Sequence, residues 1–133
     1  MNEKSTKEWT AKADRDLKIG KDEFITEDPA TDMICFHMQQ CVEKYLKAFL
    51  IFNGREIRKT HIIEELIKEC SEVDSDFQQL FAMKAHLLTD FAVELRYPGD
   101  VSLPSNEETR ETIEVAEQVR RFVLNKLKEN DFK

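Results

Sequence analysis

The polar side chains best suited to chemistry fall in three places along the sequence. The first is a polar strip on an otherwise apolar stretch, the second is a Thr-His pair, and the third is an Arg-Tyr pair just before a proline. The members are Gln40, Glu43, Lys44 and Lys47, then Thr60 and His61, then Arg96 and Tyr97. Amide, ammonium, imidazole and guanidinium groups donate hydrogen bonds to phosphates and carboxylates. These residues therefore point to ligand binding.

Glu43 and Lys47 are one helical turn apart, in the order that stabilises a helix by roughly 0.3–0.5 kcal/mol. Two interpretations are open. The two residues form a solvated ion pair, or they belong to a strip with Gln40 and Lys44 that faces a groove or a second subunit. Because the helix is otherwise apolar, we expect this strip to have access to water or to a partner.

His61 follows Thr60, which we interpret as the N-cap of a short helix. On the first helical turn, the positive end of the helix dipole disfavours an imidazolium. A neutral ring suits local packing that completes the cap, and it equally suits contact with a nucleotide phosphate or a base edge. Both interpretations are open.

Arg96 and Tyr97 precede Pro98 and end a predicted helix. The dipole favours an arginine at a helix C-terminus, which is one sufficient explanation. A guanidinium beside a phenol can also hold a phosphate or a carboxylate through two hydrogen bonds. The basic connector at 54–59 would join such a site only if the two segments converge.

A long helix predicted from Asp28 to Gly54 must position the polar strip. Asp28 is predicted to cap its start, Pro29 to occupy its first turn, and Gly54 to take the left-handed position after its end. Its apolar face is broader than an ordinary amphipathic stripe, so several elements must wrap it. That face consists of Ile34, Met38, Cys41, Val42, Tyr45, Leu46, Ala48, Phe49 and Phe52.

Four further helices are predicted to surround this one. They run from about Thr6 to Phe24, from Thr60 to Cys70, from Asp76 to Leu95, and from Ser105 towards the C-terminus. Ser105 and Glu108 form a capping box, and Pro98 ends the fourth helix because the residue before a proline avoids helical angles. The predicted fold is all-α, an antiparallel up-and-down bundle of four long helices plus one short helix, in a single domain at 1–133.

The composition limits the classes of function. The formal net charge of the 133 residues is −7, so we expect no binding to duplex DNA. We find no apolar leader and no long uncharged run, and we expect a cytoplasmic protein that does not contact a membrane. Three cysteines without CxxC spacing are expected to be buried, reduced thiols. Because no metal-binding motif occurs, we expect no metal and no cofactor.

Four segments, in the same order along the chain, resemble the HEPN family of small helical domains. They are WTAKADRDLKIGKD, FHMQQCVEKYLKAFLIFNG, KTHIIEELI and ELRYPGD. The resemblance implies an antiparallel helical bundle that pairs as a homodimer. It also implies one of two activities. Some members are metal-independent endoribonucleases, with an Arg and a His separated by four to six residues near the start of the last long helix. Others bind a nucleotide or substrate beside a small nucleotidyltransferase.

The sequence departs from the ribonuclease pattern because its last histidine is His86, well before the last helix. Arg55 and His61 match the spacing by letter but lie in the wrong connector. We therefore predict a non-catalytic subunit that binds a nucleotide or substrate through the polar residues above, with a minimal nucleotidyltransferase as partner. Two alternatives remain open: a toxin-like endoribonuclease, as in a toxin–antitoxin pair, that uses Arg55 or Arg96 with His61, and a purely structural dimerisation module.

Overall fold

A computed structural model of the chain describes residues 2–92, 103–130 and 132, and every regular element among them is a helix. The described elements are five α-helices and two 3-10 helices. In chain order they are α1 (Glu3–Phe24), α2 (Thr31–Phe52), α3 (Ile63–Val73), a first 3-10 helix (Ser75–Gln78), α4 (Gln79–Ala82), a second 3-10 helix (Ala85–Phe91) and α5 (Asn106–Glu129). The predicted all-α bundle is confirmed. None of the described helices is long and apolar enough to cross a membrane.

The central helix is α2, as its broad apolar face predicts. Its inward side chains are buried, and each large one, such as Phe49, stabilises the fold by about 1.5–3 kcal/mol. The helix α1 packs along it in the antiparallel direction. The amide of Asn2 lies 3.4 Å from the carbonyl oxygen of Phe52 at one end, and Gly20 lies against Met38 at the other. The lack of a side chain at Gly20 lets the two helices approach closely.

The last helix, α5, covers another side of α2 and runs in the same direction. Cys35 Sγ lies 3.8 Å from Thr109 Oγ1 at the start of both helices. The rings of Phe52 and Phe132 lie 5.5 Å apart at their ends. Because α1 is antiparallel to α2, it is also antiparallel to α5. The core of the bundle therefore lies between these three long helices and the 63–92 segment.

Two of the predicted helix ends are confirmed. The hydroxyl of Ser105 accepts a hydrogen bond from the backbone N–H of Glu108 at 3.0 Å, so Ser105 is the N-cap of α5. Gly54 has a φ of 75°, in the left-handed region that a side chain disfavours. The chain can therefore leave α2 sharply and return along it.

The predicted starts of α2 and α3 are wrong. The helix α2 begins at Thr31 instead of after Asp28, with no side-chain cap. The N–H of Ala30 donates instead to Glu23 at the end of α1 (3.0 Å). Thr60 does not cap α3, because its hydroxyl accepts from the N–H of Ile62 and closes a turn before the helix. His61 therefore lies before α3, not on its first turn.

The predicted fourth helix, Asp76 to Leu95, is broken in the structure. Lys84 has a φ of 64° and separates α4 from the second 3-10 helix. This turn leaves Lys84 exposed and directs Ala85 and Leu88 into the core. An unbroken helix would instead keep Lys84 on the apolar stripe, where burying its ammonium group would be costly. Residues 93–95 of that prediction lie outside the described residues.

Candidate functional site

The candidate site is centred on the carboxylate of Glu43, which α2 presents to the connector between α2 and α3. Glu43 is only 4% exposed. Three nitrogen atoms surround its two oxygens: Gln39 Nε2 at 3.0 Å, Lys47 Nζ at 2.8 Å and His61 Nδ1 at 2.9 Å. We call these four residues the Glu43 group. The spacing of four residues on one helix aligns the first three, and the connector supplies the fourth.

The Glu43 carboxylate is held in its charged form. Burial raises the pKa of Glu43, but the hydrogen bonds from Lys47, His61 and Gln39 outweigh it and place the pKa below its usual value. Because a charged carboxylate only accepts hydrogen bonds, Nδ1 of His61 carries the proton in this contact. The other ring nitrogen, Nε2, is then directed away from Glu43. Glu43 therefore fixes both the tautomer and the orientation of the imidazole.

Lys47 is also buried, at 6% exposure. Its ammonium group pairs with Glu43 and lies 5.9 Å from the ring centre of Trp9 on α1. The solvated ion pair that the sequence allowed is therefore excluded, and the expectation that the strip reaches water is wrong for Glu43 and Lys47. A buried pair of this kind costs desolvation energy that only good geometry offsets. The site meets solvent mainly through His61, whose side chain is 38% exposed.

Gln39 is a member of the site that the sequence prediction missed. Its amide donates to Glu43 and also lies 3.2 Å from the backbone carbonyl of His61. It therefore holds the connector against α2. Its position four residues before Glu43 was the available signal. The helical pattern puts Gln39 at the edge of the polar strip, and it does not show that the connector returns to this residue.

The other half of the predicted strip faces α1. Gln40 is half-buried, and its amide nitrogen donates to Gln39 Oε1 at 2.8 Å. Lys44 is half-buried and pairs with Asp16 of α1 at 2.6 Å. Asp16 is buried and also lies 2.8 Å from Nδ1 of His37. The strip therefore divides, because Glu43 contacts the connector whereas Lys44 pairs with α1.

No described contact joins the remaining predicted site residues to the Glu43 group. Thr60 is half-buried and bonds within its own turn. Arg96 and Tyr97 lie outside the described residues, so their place in the site stays a prediction. Arg55 pairs with Glu72 at 2.8 Å.

The rest of the basic connector is partly neutralised as well. Arg58 pairs with Glu69 of α3. Together with the pair at Arg55, this contact directs two of the connector's three cations towards α3. The positive cluster expected from the sequence is thus satisfied largely by carboxylates of the same chain, and it does not add to the Glu43 group.

An open groove of about 570 Å³ lies away from the Glu43 group, between α1 and α5. Its charged groups are mostly paired with one another. Lys18 pairs with Asp22 within α1, whereas Lys21 with Glu117 and Arg120 with Asp14 pair across the two helices. The described residues that line the groove include no histidine, so it lacks the oriented imidazole of the Glu43 group. We therefore place the candidate site at the Glu43 group.

The whole chain was compared with known proteins. The HEPN domain model matches residues 6–127. The chain belongs to the HEPN domain family. Its sequence is 32% identical over 142 residues to "Putative toxin MJ1304" of Methanocaldococcus jannaschii, covering 97% of this chain and 92% of that protein. Its fold matches the crystal structure of ST0689, an archaeal HEPN homologue, with a TM-score of 0.70 and 25% identity, covering 92% of this chain and 97% of the other.

The match extends over the elements that form the site. Residues 6–127 include α2, the connector and α3, so the Glu43 group lies within the family's domain and not in an appended segment. Among the described residues, no cluster of three or more His, Cys, Asp or Glu side chains has the arrangement of a metal site. The Glu43 group itself offers hydrogen-bond donors and acceptors.

Proposed function

We propose that this HEPN protein is a non-catalytic subunit that binds a nucleotide at the Glu43 group. A small nucleotidyltransferase is the proposed partner. In this role the chain recognises the nucleotide and does not itself break or form bonds. The protein is proposed to act as a homodimer.

The observation that carries the proposal is the buried network that holds the ring of His61. Replacing a buried ion pair with apolar side chains is often neutral or stabilising, so a helix core gains little from Glu43 and Lys47 alone. Here the pair instead fixes the tautomer and direction of a partly exposed imidazole. With the proton on Nδ1, a neutral ring offers Nε2 as an acceptor to an N–H group of a base edge, and an imidazolium ring donates Nε2–H to a phosphate oxygen. Membership of the HEPN family supports this role. The relative named "Putative toxin MJ1304" is consistent instead with the toxin-like alternative below.

Calorimetry with ATP tests this proposal. The wild-type protein is expected to bind ATP, and His61→Gln is expected to weaken binding about tenfold because one oriented polar contact is lost. His86→Gln is the matched control, since His86 lies in the second 3-10 helix and packs against Phe81 of α4. Equal ATP affinity of the wild-type and His61→Gln proteins would overturn the proposal.

A second candidate function, a metal-independent endoribonuclease, is favoured by one specific contact. Glu43 holds His61 through Nδ1, which is the arrangement that orients an imidazole for proton transfer at Nε2. The test is cleavage of a single-stranded RNA in EDTA by the wild-type, His61→Ala and His86→Ala proteins. Activity lost only in His61→Ala would establish this function. RNA left intact by the wild-type protein would exclude it.

A further inference from the structure

A second group, formed between α1 and α2, contains the same charged and imidazole side-chain types as the Glu43 group. The buried carboxylate of Asp16 lies 2.8 Å from Nδ1 of His37 and 2.6 Å from Nζ of Lys44. Each group thus contains one carboxylate, one imidazole held through Nδ1 and one ammonium. We call these three residues the Asp16 group. His37 and Lys44 remain 24% and 22% exposed, so both can reach a ligand.

The two groups lie on either side of one half-buried strip of α2. At about 100° per residue, His37 and Lys44 fall on one flank of Gln40, and Glu43 falls on the other. The amide of Gln40 donates to Gln39 of the Glu43 group. His37 and Glu43 are six residues apart, or roughly 9 Å along the helix axis. A nucleotide can span a separation of this size.

The strip also carries an aromatic surface and further positive charge. Phe36 is half-buried and packs edge-on to His37, with ring centres 5.3 Å apart. Aromatic rings of this kind support stacking of a nucleobase. Lys12 is exposed one turn before Asp16 on α1, so the edge of α1 beside the strip carries a further cation. An ammonium group has three N–H donors, and Asp16 occupies one of those of Lys44.

A purely structural role explains only part of this arrangement. A single ion pair from Lys44 to Asp16 would suffice to join α1 and α2. The structure adds an imidazole whose ring is fixed by the same carboxylate and partly exposed at the surface. The same pattern at His61 makes a phosphate-binding role for both groups the simpler explanation.

We propose that Lys44 and the imidazolium form of His37, through Nε2–H, bind the phosphate groups of the nucleotide whose other end contacts His61. The base lies over Phe36 and Gln40, between the two groups. This inference rests on the proposed nucleotide binding at the Glu43 group and extends it to a ligand that spans the strip. It assigns the Asp16 group to binding of a nucleoside polyphosphate.

The test uses the three histidines of the full-length chain as reporters. Imidazole C–H signals are assigned by His37→Gln, His61→Gln and His86→Gln and followed by NMR during titration with ATP. We expect the His37 and His61 signals to shift and that of His86 to stay. Inorganic tripolyphosphate, which lacks the base, is expected to shift the His37 signal alone.

Affinities measured by calorimetry complete the test. Lys44→Gln is expected to weaken ATP binding about tenfold, because a charge-assisted hydrogen bond to phosphate is lost. Lys18→Gln is the matched control, since Lys18 is an exposed lysine that pairs only with Asp22 on α1 among the described residues. Helix content by circular dichroism shows whether each variant is folded, and the wild-type NMR titration does not depend on any variant.

The outcomes separate the two proposals. An ATP-induced shift of His61 without one of His37, or an unchanged ATP affinity in folded Lys44→Gln, overturns this inference and leaves the Glu43 site standing. No shift at either ring and no measurable ATP binding overturns both proposals. Shifts at both rings together with a loss of affinity in Lys44→Gln support the spanning ligand.

Discussion

The buried ionic clusters around Lys126 and around Glu43 differ in the kinds of side chain that they join. At the end of α5, Lys126 is buried and pairs with Asp74, Asp76 and Glu129, at 2.9, 2.5 and 3.5 Å. In the Glu43 group the carboxylate is the buried centre and its partners include an imidazole. The Lys126 cluster joins an ammonium group to carboxylates. The Glu43 group includes an imidazole ring.

The positions of the two clusters explain this difference. Lys126 fixes the C-terminal turn of α5 to the turn that follows α3, where water still reaches the acidic partners. Its hydrogen bonds to Asp76 and Asp74 raise the pKa of Lys126 and stabilise its charge. The Glu43 group lies at mid-helix with only His61 well exposed. One cluster closes the fold, whereas the other fixes the orientation of an imidazole ring.

The largest expected effect is on the stability of a Glu43→Leu variant. Removing the carboxylate leaves the buried ammonium of Lys47 unpaired, which should cost about 3–5 kcal/mol in the free energy of unfolding. Urea denaturation measures this cost. The double variant Glu43→Leu/Lys47→Met should recover much of the loss, because no unpaired charge remains. An exposed control, Glu64→Ala, should change stability by less than about 0.5 kcal/mol.

A result in which Glu43→Leu is as stable as the wild-type protein would contradict the burial of this pair. It would mean that Lys47 turns into water once Glu43 is gone. A double variant that is no more stable than Glu43→Leu would show that the loss comes from altered packing and not from an unpaired charge.

A smaller effect is expected at the other cluster. Lys126→Met keeps most of the aliphatic stem and removes the ammonium, and it should cost about 1–2 kcal/mol because the acidic partners remain partly solvated. ATP affinity should stay at the wild-type value. Urea denaturation and calorimetry on the same sample measure both quantities. A variant that loses ATP binding while remaining folded would remove the distinction between the two clusters.

The smallest expected effect is on the stability of the Glu43 group in acid. Because the pKa of Glu43 is lowered in the fold, its contribution is fully present above its usual pKa of 4.5 and is lost as the pH falls through the lower folded value. The loss is modest since a protonated carboxyl still accepts hydrogen bonds.

Urea midpoints of the wild-type and Glu43→Gln proteins, measured from pH 6 down to about pH 3, test this slope. The urea midpoint of Glu43→Gln should fall less steeply as the pH is lowered, because its side chain does not titrate. Because the pKa of Asp74 in the Lys126 cluster is also lowered, both proteins should keep the part of the slope that comes from that cluster. Identical slopes in the two proteins would show that Glu43 does not titrate as the structure implies.

The sequence predicted those parts of the fold that depend on local pattern. The broad apolar face of α2, the Ser105 cap and the Gly54 turn all follow from spacing and residue type within a few positions. The break at Lys84 was missed because periodicity alone let the stripe continue through a lysine. Only the packing of Ala85 and Leu88 against the core shows why the chain turns there.

The candidate site was predictable only in part, for a related reason. The helical spacing of Glu43 and Lys47 identified the pair but not its burial. The contact from His61 to Glu43 crosses 18 residues and depends on how the connector returns along α2. The contact from His37 to Asp16 joins two helices whose register no local pattern gives. Helical periodicity does not show which side chains tertiary packing brings together.

The central claim is that the Glu43 group and the strip beside it form the ligand site of this HEPN protein. A crystal structure of the full-length chain with ATP tests it most directly. We expect ATP to lie along the half-buried strip of α2 around Gln40, with one end within hydrogen-bond distance of His61 and its phosphates at Lys44. ATP bound instead in the groove between α1 and α5, beside Lys21 and Arg120 and out of contact with His61, would contradict it.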